Sequence, residues 1–368
     1  MDDAAEPPAA PLTGRERRLR RWLVAVAALA ALAAVAVGAI LFYWARYVLP
    51  TEPDPFTRGP FVAAVDRTSA HIAWRIPAGR RVEITATTPS GRTVAAADGR
   101  LKGLDPGARH GWVATVDGRA AAWGSVTTAP GDDGAVRFLA FGDYGAGGED
   151  EYAVGRVGAA QSPAFSVIPG DNSYLVAVAP LLDKNIFRPM RPLLAQGPFV
   201  ATLGEHDVFI RNGRDLADAL FLPGGGDRWV FDHGPLRFVM LGVEANEDDV
   251  PFAERALARR DARRTYLVVH RPPQPGNAVL RAARGRFAAV FAGHNHRYER
   301  RVVDGVLTLT VGTGGAPANQ DERFTPRSPD AIRSFIRFGL MRVDDTPDGA
   351  TMVFIDSAGR VRDRVAIP

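Results

Sequence analysis

The chain has 368 residues, 46% of them apolar, a formal net charge of +4 and a calculated pI near 9.7. That length holds two or three domains, and the ordinary apolar fraction excludes both a disordered chain and one embedded wholly in a membrane. The absence of cysteine excludes disulfide staples, thiolate metal sites and cysteine nucleophiles together, so any metal must be held by oxygen and nitrogen.

Residues 1–21 read as a cytoplasmic basic tail ending in Arg15, Arg17, Arg18, Arg20 and Arg21. Without that block the chain is close to neutral, and no basic stripe interleaved with aromatics follows, which argues against nucleic-acid binding. Residues 22–45 carry no charge and are rich in Ala, Val and Leu; an apolar helix of about 20 residues spans a bilayer core. The arginines on its N-terminal side predict a single-pass membrane protein with the N-terminus cytoplasmic and the catalytic domain extracytoplasmic. Trp22, Tyr43, Trp44 and Tyr47 are placed as interface anchors. A cleaved signal peptide is the alternative, although no cleavage site is evident.

Pro50, Pro53 and Pro55 make residues 46–59 a stiff, Pro-rich linker. Residues 60–130 then alternate short strand-like runs (Phe61–Val65, Ala70–Ile76, Val82–Thr87, Thr93–Ala96, Gly111–Val116, Ala120–Thr127) with Pro, Gly and Asp turns, the pattern of a small all-β sandwich. The tract from Leu101 to Gly107, followed by His110-Gly111-Trp112, resembles fibronectin type III-like modules, with His110 where that family usually has tyrosine. His71 and His110 are read as structural.

From 136 to 368 apolar runs alternate with helix-like stretches at Glu149–Ala160 and Val250–Arg263, which predicts an α/β domain built on a largely parallel sheet. From about residue 300 the pattern changes to strand pairs, with Ile336–Val343, Thr351–Ile355 and Val361–Ala366 among them, and predicts a second, mostly antiparallel sheet packed on the first.

Chemistry gathers at the ends of five apolar runs, as Gly142-Asp143-Tyr144-Gly145, Gly170-Asp171-Asn172-Ser173-Tyr174, Gly204-Glu205-His206-Asp207, His270, and Gly293-His294-Asn295-His296. Open α/β sheets place ligands at the C-terminal ends of their strands. Each cluster alone is an ordinary turn; five in one domain point to a site. Carboxylates and imidazoles without thiols suit first-row metals, and one aspartate can bridge two ions that clamp a phosphoryl displacement. No third glycine of a dinucleotide loop, no Gly-Lys-Ser/Thr, no Gly-x-Ser-x-Gly and no His-Glu-x-x-His occurs.

In their order, Asp143-x-Gly145, Gly170-Asp171-x-x-Tyr174, Gly204-x-His206, Val268-x-His270 and Gly293-His294-x-His296, with Tyr298-Glu299-Arg300 and Gly312-Thr313-Gly314-Gly315, these motifs resemble the purple acid phosphatase branch of the calcineurin-like metallophosphoesterases. The resemblance covers residues 136–345. It implies a four-layer α/β/β/α sandwich preceded by the β-module. It also implies two metal ions: Asp143, Tyr174 and His296 around Fe(III), Asp171 as the bridge, and His270 and His294 on a second ion, Fe, Zn or Mn. His206 would protonate the leaving oxygen or hold a phosphate oxygen while a metal-bound hydroxide attacks phosphorus in line. The family usually has asparagine as a ligand of the second metal where this chain has Glu205. Glu205 is read as still a ligand, with its added charge lowering Lewis acidity and repelling phosphate, or else as turned away to pair with an arginine.

The expected function is a membrane-anchored phosphatase acting on phosphate monoesters of a phosphorylated small-molecule or polymer substrate. Phosphodiester or nucleotide hydrolysis on the same site, and a surface binding protein weakened by Glu205, are the alternatives. Arg211, Arg214, Arg271 and Arg297 lie near the motifs and are assigned mainly to surface salt bridges; His233 is placed in a hairpin as a structural residue.

Overall fold

The computed structural model describes residues 13–43, 55–174, 178–317 and 326–368. The tail before residue 13, the anchors Trp44 and Tyr47, and the expected linker up to residue 54 lie outside the described residues. The chain divides into two compact units, Met1–Thr51 and Glu52–Pro368.

In the first unit, α1 (Gly14–Tyr43) is a single helix. Its segment Arg20–Phe42, 23 residues, is apolar and long enough to cross a membrane, a property shared by signal sequences near an N-terminus. Trp22, Leu29, Leu32 and Val35 all stand exposed around it, and after Arg21 the helix presents no polar face.

The second unit begins with seven strands: β1 (Arg58–Val65), β2 (Ser69–Arg75), β3 (Val82–Thr87), β4 (Thr93–Ala96), β5 (Arg100–Lys102), β6 (Arg109–Val116) and β7 (Arg119–Thr127). They form two antiparallel sheets, ordered β1-β2-β5 and β4-β3-β6-β7. Strict alternation in β6 sends His110, Trp112, Ala114 and Val116 inward, where they meet Val62, Ile72, Ile84 and Leu101. β5 was not expected, because three residues are too few to show a period of two. These sheets are tied to the rest of the unit: Arg58 Nε lies 2.5 Å from Asp183 Oδ1, and Trp112 Nε1 donates to the Ala195 carbonyl at 3.2 Å.

The remaining strands form two mixed sheets. The first contains β8 (Val136–Ala140), β9 (Phe165–Pro169), β10 (Phe199–Thr202), β18 (Gly339–Thr346), β19 (Gly349–Asp356) and β20 (Val361–Ile367) in the order β10-β9-β8-β18-β19-β20. The second contains β11 (Trp229–His233), β12 (Leu236–Met240), β13 (Arg264–Val269), β14 (Ala289–Ala292), β15 (Tyr298–Val303), β16 (Val306–Val311) and β17 (Arg333–Phe335) in the order β11-β12-β13-β14-β16-β15-β17. The expectation of one parallel and one antiparallel sheet is therefore corrected. β8–β10 and β12-β13-β14-β16 are parallel, and antiparallel strands extend both sheets.

The strand expected at Ile336–Val343 begins only at Gly339, because residues 336–338 pass between β17, which ends at Phe335, and β18. β17 pairs with β15 in one sheet and β18 with β8 in the other. The crossing ends at Gly339, whose amide donates to Thr313 and whose carbonyl accepts from the Thr313 hydroxyl.

Aromatic rings join the two sheets. Phe138 stacks on Phe165 at 5.4 Å and meets Phe238 and Phe291 edge-on at 5.1 and 5.8 Å. Helix α2 (Glu149–Ala160) lies over the first sheet, with Gly158 against Leu139 and Leu340. The outer face of the second sheet buries Ala253, Ala256, Val279 and Leu280. The helix expected at Val250–Arg263 stops at Ala258 and turns extended at Arg259. Buried Arg237 explains the stop, since its guanidinium takes the Ala256 and Arg259 carbonyls at 3.4 and 3.1 Å, groups that a helix end leaves without partners.

Candidate metal centre

The five motif loops leave the C-terminal ends of β8, β9, β10, β13 and β14, so a single edge of the two facing sheets collects all of them. Parallel neighbours bring Asp171 beside Asp143 and Glu205, and His294 beside His270. The backbone is bent to aim them: Asp143, Asp171 and His294 have φ of 58°, 48° and 68°, a left-handed region uncommon for side-chain-bearing residues and concentrated at functional sites. Gly170, with φ of 84°, adjoins His270 so closely that a Cβ there would meet the ring Nδ1 at 2.7 Å. A Cβ on Gly204 would collide with the Asp171 carboxylate.

Four predicted ligands converge at one point. The Tyr174 hydroxyl lies 3.2 Å from Asp143 Oδ1, 3.3 Å from Asp171 Oδ2 and 2.7 Å from His296 Nε2. The other nitrogen of His296, Nδ1, is taken by the Pro317 carbonyl at 2.9 Å, so Nε2 is the atom turned inward. Burial and the charges of Asp143 and Asp171 push the Tyr174 phenol well above its ordinary pKa.

The second group is continuous with the first. His270 donates through Nδ1 to the Pro169 carbonyl, 2.9 Å away, whereas its buried Nε2 has no hydrogen-bond partner and stands 3.4 Å from Asp171 Oδ2. Burial alone would lower the pKa of His270, but Asp171 and Asp143 outweigh it and hold the ring at about 9. Asp171 in turn is held below its ordinary range, its burial offset by His270. Glu205, His270 and His294 each bring a ligand atom within 4.8 Å of the others, as do Asp143, Asp171 and His270.

This donor set fits a pair of cations. A buried imidazole nitrogen left without a partner is costly, and ring nitrogens fixed from behind by carbonyls are the usual support of metal-binding histidines. Asp171 Oδ2 faces both groups, the placement a bridging carboxylate requires. His206 belongs to neither group: its amide donates to Asp171 Oδ1 at 2.9 Å and its exposed ring lies against Tyr174 at 4.5 Å between centroids.

Glu205 pairs with an arginine and also faces His294. One oxygen, Oε1, lies 3.1 Å from His294 Nδ1. The other, Oε2, accepts from Arg271 at 2.7 and 2.8 Å. Arg211 pairs with Asp215 at the surface, whereas Arg297 is fully buried beside Glu299, which corrects its surface assignment. His110 is buried with Nε2 on the Asp105 carbonyl at 3.0 Å. His233 closes β11, and burial lowers its pKa to about 4.

Two carboxylates escaped the sequence reading. Asp207 is buried and accepts the amides of Asn172, Ser173 and Gly204; burial and then the Asp171 charge push its pKa to about 6. It fastens two ligand loops together, and its place in the tract after His206 was the only signal. Glu151, in the first turn of α2, accepts the amides of Ala146 and Gly147 at 3.0 and 2.9 Å and thereby fixes the Asp143 loop. Its burial raises its pKa from 4.5 to about 8.

Glu151 makes stability depend on pH. Its folded pKa exceeds its unfolded one, so its contribution is complete below about pH 4.5 and is lost as pH rises to about 8, at about 1.4 kcal/mol per pH unit. Glu151→Gln is expected to reduce the fall in urea midpoint across that window. An unchanged slope in the variant would mean that Glu151 does not carry it.

Residues 136–298 match the family model of the calcineurin-like phosphoesterases. Among solved structures, one described as the structure of PhoD aligns with a TM-score of 0.61 at 12% identity, covering 85% of this chain and 90% of that one. That likeness is one of fold. GAP50, described as the anchor in the inner membrane complex of Plasmodium, aligns at 14% identity over 63% of this chain and 88% of its own, with a TM-score of 0.47. No curated protein matches the sequence. Residues 136–298 therefore carry a calcineurin-like metallophosphoesterase domain.

Proposed function

We propose that the chain is a membrane-anchored phosphatase that hydrolyses phosphate monoesters outside the cytoplasm, using Fe(III) at the Tyr174 position and Fe, Zn or Mn at the second. The observation that carries this reading is the convergence of Asp143, Tyr174 and His296 on one side of Asp171 and of His270, His294 and Glu205 on the other. The sheets and their covering helices accord with a four-layer sandwich, and the seven N-terminal strands with a fibronectin type III-like module over 60–130. The exposed α1 supports anchoring.

When bound, two cations lower the pKa of water and neutralise phosphoryl charge. The remaining work falls to the chain. Asp143, Asp171 and the histidines hold their loops in one geometry, so little reorganisation accompanies turnover. His206, exposed beside Tyr174, is placed to give a proton to the leaving oxygen or to hold a phosphate oxygen. A groove of about 560 Å³ runs from His294 and Asn295 past Arg271 to Gln274 and Asn277. Its room beyond one phosphate supports a second reading, a phosphodiester or nucleotide substrate.

The test is the visible spectrum of the purified chain under oxidising conditions, alongside turnover of an aryl phosphate. A tyrosinate-to-iron charge-transfer band that disappears in Tyr174→Phe is expected. Turnover without any such band would replace the iron assignment with a colourless metal pair, and no turnover across several phosphate esters would leave a binding protein.

A further inference from the structure

Resting on the phosphoesterase reading, we propose that Arg271 and Glu205 act as one unit at the second metal position. Arg271 is a positioning residue that balances the charge Glu205 brings and keeps one of its oxygens directed at His294.

Glu205 stands where a neutral amide is usual in the family, grouped with His270 and His294, and His270 in turn adjoins the buried carboxylates Asp143 and Asp171. A third negative charge would repel phosphate. Arg271 meets it directly: Nε and Nη2 both reach Oε2, at 2.8 and 2.7 Å. That fork leaves Oε1 for His294, 3.1 Å away, and a guanidinium holds a carboxylate in a fixed orientation as an ammonium cannot.

The chain places Arg271 by placing His270. The two are consecutive after β13, and the Arg271 amide donates to the Val243 carbonyl at 2.8 Å. On its far side Nη1 meets Glu244 Oε1 at 2.5 Å. Glu244 is more than half exposed, against 33% for Glu205, so water screens it more strongly and the nearer balance is between Arg271 and Glu205. Arg271 also lines the groove with His294 and Asn295, where its charge faces an entering phosphate.

The experiment is a double-variant cycle on the full chain in detergent. Calorimetry follows Zn²⁺ binding to the metal-free protein, then inorganic phosphate binding to the loaded protein. Glu205→Asn is expected to weaken the second Zn²⁺ by about tenfold and to tighten phosphate. Arg271→Gln is expected to weaken the second Zn²⁺ by about threefold, because Glu205 Oε1 is no longer held at His294, and to weaken phosphate by about tenfold. In the Glu205→Asn background Arg271→Gln should weaken Zn²⁺ no further and should cost phosphate less than about threefold, because the guanidinium and the carboxylate it holds act as a pair.

Arg271→Lys, which keeps charge but loses the fork, should retain more phosphate affinity than Arg271→Gln. An Arg271→Gln step that costs Zn²⁺ and phosphate as much in the Glu205→Asn background as in the starting chain overturns the pairing. A starting chain that binds no Zn²⁺ overturns the phosphoesterase reading as well, whereas cations bound with independent effects sink only this inference.

Discussion

Asp171→Asn is expected to remove at least one of two bound cations and to lower kcat/KM on an aryl phosphate by about a thousandfold or more. The substitution preserves shape and can keep the amide of His206 on the Oδ1 position, 2.9 Å away. It removes only the negative charge of Oδ2, the atom 3.3 Å from Tyr174 and 3.4 Å from His270. A bridging ligand has no substitute in this cluster, since Asp143 already accepts the His294 amide and contacts Tyr174. Metal analysis and turnover are to be measured on the same sample. Two cations per chain with near-normal kcat/KM in the variant would end the bridging assignment.

Chelation is expected to lower thermal stability by about 10 °C, with recovery when Zn²⁺ or Mn²⁺ is returned. Each of two cations present at about a thousand times its Kd adds about 4 kcal/mol to folding, and each kcal/mol moves Tm by about 1–2 °C in a chain longer than about 300 residues. The physical cause lies in the site: Asp143 and Asp171, both buried, face each other across Tyr174, and His270 leaves a buried nitrogen without a partner. In Asp171→Asn the chelation step should shrink. A chelated parent that melts at the same temperature as the loaded protein would show that these carboxylates bind no cation tightly.

Much of this site was legible in the sequence because it is assembled from strand ends. Asp143, Asp171, Glu205, His270 and His294 each follow a short apolar run, and in a parallel arrangement the ends of such runs lie side by side. Tyr174 and His296 were legible by spacing, each a few residues beyond a cluster that the strand positions. The helix at Glu149–Ala160 was legible for a similar local reason, its acidic first turn.

What was hidden depends on distant partners. The end of the helix at Ala258 is imposed by Arg237, from a neighbouring strand. The run expected from Ile336 forms a strand only from Gly339, because the chain just before it crosses from the sheet of β17 to that of β18. Arg297 looked like a surface cation until its burial beside Glu299 was seen.

By itself the sequence determined the inventory of the site, the absence of thiols, the long apolar helix and the ordering of motifs along alternating elements. These follow from residue type and local periodicity, which need no contact across the fold. The tertiary structure alone decided which strands share a sheet, how Asp207 and Glu151 lash the ligand loops, and that Glu205 meets Arg271 and His294 at once. Such pairings join residues far apart in the chain, where no local pattern reaches and only closed packing and matched charge choose the partner.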